Sequence, residues 1–122
     1  MTHAQGSRTE KPWGHEVLLA INDRYAMKDI FLREGTRSSL QSHNNKLESI
    51  VVIEGSMLLE LEDVDGTMQR SEVGPGYAYD VLPGRRHRVT ALSDVRVIEV
   101  STPELDDVVR YEDDFGRRSD GH

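Results

Sequence analysis

Cysteine is absent from the 122 residues, which excludes disulfides, thiolate nucleophiles and sulfur-ligated metals. A cysteine-free chain is compatible with a reducing compartment, and a cytoplasmic location is the expectation. Positive charge is in deficit: 15 Lys and Arg stand against 22 Asp and Glu, a net charge of -7. That balance supplies neither the basic stripe of a nucleic-acid binder nor a polybasic membrane anchor. No apolar run reaches transmembrane length, and residues 1–10 are polar, without the apolar stretch of a signal peptide. Neither nucleic acid nor a membrane is therefore expected as a partner. Aromatic residues make up only 6% of the chain, with a single Trp.

Helical periodicity is also nearly missing; what fills the chain is strand after strand. Short runs rich in β-branched and apolar residues occupy 16–21, 25–32, 49–53, 57–62, 68–73, 77–82, 88–92 and 95–100. Turn chemistry separates them, at Asn22 and Asp23, Glu54-Gly55, Asp65-Gly66, Gly74-Pro75-Gly76, Pro83-Gly84 and Ser93-Asp94. This pattern predicts an all-β, closed or double-sheet architecture such as a jelly roll. A helical turn is expected only over 103–111. The length suits one domain with one site. It is placed at 10–117, with flexible segments at 1–9 and 118–122. Small double-sheet domains leave strand edges that need covering, so a homodimer is expected.

Two stretches carry the chemistry. Between Gly35 and Gly55 stand Gln41, His43, Lys46 and Glu48, and from Gly76 the chain runs through Gly84 to His87. Gln41 and His43 are two apart, so an extended strand puts them on one face, and a reversal after His43 brings Glu48 back beside them. His87 would be the fourth donor. Two imidazoles, a carboxylate and an amide oxygen suit one borderline divalent ion, zinc first, with iron, manganese, cobalt or nickel also possible.

These stretches resemble the paired motifs of the cupin superfamily, G(X)5HXH(X)3,4E(X)6G and G(X)5PXG(X)2H(X)3N. Gln41 stands at the first His position, Leu82 at the Pro position and Ala91 at the final Asn. A narrower resemblance is to the cupin domain that ends type II mannose-6-phosphate isomerases. It is carried by Gln41, by Lys11-Pro12-Trp13-Gly14, by 25–30 and by 106–117. The resemblance implies a cupin double-stranded β-helix with Gln41, His43, Glu48 and His87 as metal ligands. It also implies a sugar-phosphate aldose–ketose isomerase, with Lys46 or Glu48 as the proton-shuttling base. The isomerase domains resemble Gln-x-His-His-His-Arg-x-Glu-His-Trp through the first motif, and three His and the Trp have no counterpart here. The alternatives are a non-catalytic sugar- or metabolite-binding module and another cupin enzyme, a dioxygenase, epimerase or lyase.

Around the ligands, Lys28 shares the phase of Ile30 and Leu32 and is a candidate for contact with a phosphate or sugar hydroxyl. Tyr79, in phase with Tyr77, is a candidate lining residue. Arg86 and Arg88, with Arg85, bracket His87 as a candidate anion clamp. Trp13 is expected to anchor packing. The interleaved acids and aromatics of 110–117 suggest a docked tail, on a partner subunit if the chain is dimeric.

Overall fold

The computed structural model describes residues 3–117. Eleven strands form two antiparallel sheets, and the described residues contain no helix. In chain order they are β1 (Arg8–Lys11), β2 (Gly14–Ile21), β3 (Ala26–Leu32), β4 (Leu40–Ser42), β5 (Glu48–Glu54), β6 (Met57–Glu62), β7 (Met68–Val73), β8 (Ala78–Val81), β9 (His87–Ala91), β10 (Val95–Ser101) and β11 (Val109–Glu112). One sheet runs β1-β2-β3-β10-β5-β8 and the other β11-β4-β9-β6-β7. This all-β jelly roll matches the architecture expected from the short strands and their turns.

Alternation decides which residues face inward. In β10, Val95, Val97, Glu99 and Ser101 are buried while the residues between them are more exposed. In β5, Glu48, Ile50 and Val52 are the buried set. Because β5 and β10 are antiparallel, with Glu99 opposite Ile50 and Ser101 opposite Glu48, the apolar members of both strands gather at one end. Leu32, Val52, Met57, Leu59, Val81 and Val95 pack there. The polar members gather at the other end, where His43, Lys46, Glu48, His87 and Glu99 are all buried. Half the interior is thus a hydrophobic core and half a polar chamber.

One expectation is corrected. The helical turn expected over 103–111 is a run of turns followed by β11, which pairs with β4. Alternating Val109, Arg110, Tyr111 and Glu112 suit a strand, and β4 offers a free edge to receive it. In the segment 1–9 the described residues lie along the sheet. Arg8 and Thr9 pair with Val17 and Glu16, and the Gly6 amide donates to the Leu18 carbonyl. Residues 118–122, expected to be flexible, lie outside the described residues. The tail at 110–117 docks on its own chain: Tyr111 and Ser42 share a hydroxyl–hydroxyl hydrogen bond of 2.8 Å, and Arg37 donates to Asp114. Trp13 is buried in the core as a packing anchor.

Candidate metal centre

Gln41 and His87 face each other across β4 and β9, and His43 follows β4 directly. Glu48 comes from β5 in the opposite sheet, so the cluster bridges the two layers of the barrel. The reversal between His43 and Glu48 has a specific fastener. The Asp107 carboxylate accepts the amide hydrogens of Asn44, Asn45 and Lys46 at 3.0, 2.7 and 3.0 Å. One ligand atom each of His43, Glu48 and His87 falls within 4.8 Å of the others.

The ring tautomers follow from the partners. His43 Nδ1 is 2.6 Å from the Asp107 carbonyl, and His87 Nδ1 is 3.1 Å from the Arg85 carbonyl. A carbonyl only accepts, so in each ring Nδ1 carries the hydrogen and the neutral imidazole leaves Nε2 as a lone pair. Both Nε2 atoms, and Glu48 Oε1, are buried without a hydrogen bond. His43 Nε2 and Glu48 Oε1 approach to 2.7 Å, yet they lack the alignment of a donor and an acceptor. Electron pairs so close together, removed from water, are costly unless a cation lies between them. Imidazole nitrogens oriented by Nδ1–H to carbonyl bonds are also the usual supporting arrangement for metal-bound histidine. The residues fit a divalent ion. Gln41 borders the same cavity, and its Oε1 accepts from Ser39 Oγ at 2.8 Å, leaving a second lone pair.

Charge around the cluster is strongly polarised. Burial would raise the Glu48 carboxyl, but its cationic surroundings, with the Lys46 ammonium 3.4 Å from Oε1, outweigh it and hold the group ionised. Glu99 moves the other way: burial and then the neighbouring Glu48 carboxylate push its pKa up. Burial also pushes His87 down, partly countered by Glu48. For Lys46 burial favours the neutral amine, but Glu99 and Glu48 prevail and keep the ammonium charged. Tyr79 is raised by burial and by the two glutamates.

This chamber opens into a cavity of about 490 Å³. Gln41, His43, Lys46, Glu48, His87, Lys28 and Tyr79, all singled out in the sequence, border it. Lys28 reaches inward and pairs with Glu16 at 2.9 Å. Arg86 and Arg88 do not reach the cavity, which corrects the expected anion clamp. Each is one residue from His87, and alternation along the strand turns both to the opposite face. Arg86 pairs with Glu62 at 3.0 Å, while Arg88 donates to the Ser38 carbonyl and to Glu112. Glu99 and Glu16 went unnoticed in the sequence, although each sits at an inward position of its strand. A carboxylate in phase with Val95 and Val97 is the signal that would have found Glu99.

The mannose-6-phosphate isomerase C-terminal family matches residues 1–113. The chain belongs to that family. Similar proteins include the mannose-1-phosphate guanylyltransferase of Escherichia coli (strain K12), 30% identical over 112 residues, covering 88% of this chain and 22% of that protein. Another is the alginate biosynthesis protein AlgA of Pseudomonas aeruginosa, 27% identical over 115 residues, 90% of this chain and 23% of AlgA. The chain thus spans under a quarter of the length of these relatives. Among solved structures, KdgF from Halomonas sp. superposes with a TM-score of 0.70 at 22% identity, over 82% of this chain and 90% of KdgF. Oxalate decarboxylase from Bacillus subtilis gives 0.71 at 19%, over 90% and 33%. These likenesses establish the cupin fold. In this member of the isomerase C-terminal family, no helix among the described residues is long and apolar enough to cross a membrane.

Proposed function

We propose that this chain is a metal-dependent cupin enzyme that interconverts an aldose phosphate and its ketose, mannose 6-phosphate being the first substrate to test. The observation that carries the proposal is the set of orphaned lone pairs on His43, Glu48 and His87, set in the wall of a cavity with its own ionisable groups. The family's description names a mannose-6-phosphate isomerase and so favours this reaction. His43, His87 and Glu48 would hold the ion, zinc first, with Gln41 as fourth donor. When bound, the ion supplies Lewis acidity toward substrate oxygens.

The remaining steps belong to side chains. Isomerisation removes a proton from the carbon beside the carbonyl and delivers one to the former carbonyl carbon, while a hydroxyl proton crosses between the two oxygens. Glu48, directed at the histidines, is committed to the ion, and Lys46 is held as an ammonium, which donates but does not abstract. Glu99 borders the cavity and is in charge contact with both. We assign the carbon proton transfer to Glu99. Lys46 orients Glu48 and donates to a substrate oxygen, and Tyr79 narrows the chamber.

A coupled assay of mannose 6-phosphate conversion to fructose 6-phosphate, after chelation and addition of a divalent ion, tests this. Turnover should require the ion, disappear in His43→Ala and His87→Ala, and fall about 10²–10⁴-fold in Glu99→Gln. Bound metal with saturable ligand binding and no turnover would replace the enzyme by a sugar-binding module.

A further inference from the structure

Charged residues from five strands of the six-stranded sheet line the cavity. Glu48 on β5, Glu99 on β10, Lys28 on β3, Glu16 on β2 and Lys11 at the β1 edge all border the cavity. Lys28 stands directly opposite Glu99, and Lys11, on the outermost strand opposite Gly14, is four strands from Glu48. Most of these charges have partners: Glu48 has His43 and Lys46, Glu16 has Lys28, and Arg117, reaching the same wall from the chain end, has Asp113 at 2.8 Å. Lys11 does not. Its half-buried ammonium makes no hydrogen bond or ion pair with any described residue. Burial lowers its pKa, Glu16 works against that, and Lys28, Arg117 and Arg110 add to it. At this end of the chamber Lys11 stands among like charges, with Glu16 the acidic group acting on it.

We infer that Lys11, with Lys28 beside it, forms a phosphoryl-binding subsite at the end of the cavity remote from the His43–Glu48–His87 cluster. A group with several equivalent oxygens engages two ammoniums at once, and ammoniums act as point charges that impose little directional demand. Thr9, also on the wall, adds a hydroxyl donor. A neutral sugar hydroxyl would leave Lys11 uncompensated. The inference rests on the reading of this cavity as the ligand site. It orients the ligand, with its phosphoryl end at Lys11 and its reacting carbons near Glu99 and the metal cluster.

The test is a calorimetric titration of inorganic phosphate into the full chain, with acetate as a second probe. Wild type, Lys11→Gln, Lys11→Arg and His43→Ala are compared. Saturable phosphate binding is expected, weakened roughly five- to tenfold in Lys11→Gln, recovered in Lys11→Arg and retained in His43→Ala. No saturable binding overturns the subsite, as does binding that survives Lys11→Gln and vanishes in His43→Ala. Acetate binding as tightly as phosphate overturns its phosphoryl character. Failure of mannose 6-phosphate turnover with Lys11-dependent phosphate binding intact would remove the isomerase and leave the subsite standing.

Discussion

A single carboxylate, Asp113, ties the end of the described chain. It accepts the Arg117 backbone amide at 2.7 Å and the Arg117 side chain through Nε at 2.8 Å. Burial alone would raise its pKa, but the Arg117 guanidinium and backbone hydrogen bonds prevail and hold it down to about 2. An unfolded Asp titrates near ~3.9. A folded pKa below the unfolded one means that the stabilisation is fully present above the unfolded value and is lost as pH falls through the folded one. Thermal melts of wild type and Asp113→Asn should therefore differ above about pH 4 and converge toward about pH 2. A gap independent of pH would show that the carboxylate charge contributes nothing. Residue-level legibility was uneven in the same physical way. That His43, Glu48 and His87 come together could be anticipated because their spacings along the chain are fixed by short strands and turns. Glu99 and Lys11 reach the cavity beside neighbours on other strands, which spacing does not record.

Among the elements, β2 depends on its first residue. A Cβ on Gly14 would run into the Phe31 carbonyl of β3, where Gly14 pairs with Leu32. Close backbone approach, rather than turn geometry, is what demands glycine here. Gly14→Ala should cost about 1–3 kcal/mol through overpacking, read as a lower urea midpoint at unchanged slope. An unchanged midpoint would mean that β2 shifts freely on β3. The Pro12-Trp13-Gly14 signature was visible in the sequence as a resemblance, and its reason becomes visible only in the β2–β3 contact. Eight strands, β2, β3 and β5 to β10, were legible from alternation and turns, and the spacing of Gln41 and His43 anticipated β4. β1 and β11 were not legible: each has four residues and lies at the edge of its sheet, formed against an edge that its neighbour leaves unpaired.

For the molecule as a whole, the His43–Glu48–His87 cluster draws its members from both sheets. Folding gathers three lone pairs into one buried place, so an ion that binds only the folded chain stabilises it by mass action. At about 100-fold excess over the dissociation constant this amounts to about 2.7 kcal/mol, roughly 10 °C in melting temperature for a chain of this size. Differential scanning calorimetry with chelator and with added zinc measures it. The shift should vanish in His87→Ala, and equal melting of wild type under both conditions would refute a metal site.

By itself the sequence determined the all-β class, the turns, the family resemblance and the four spaced donors, because alternation, glycine placement and ligand spacing are properties of a single chain. Only the tertiary structure decided which side of a strand a charge occupies. One residue's offset sends Arg86 and Arg88 away from the cavity, whereas the antiparallel register of β10 brings Glu99 to Glu48. It also decided that the chain's two ends, β1 and the segment around β11, border the chamber with Lys11 and Arg117. Those groups are far apart in sequence, and their proximity exists only once the sheets have closed.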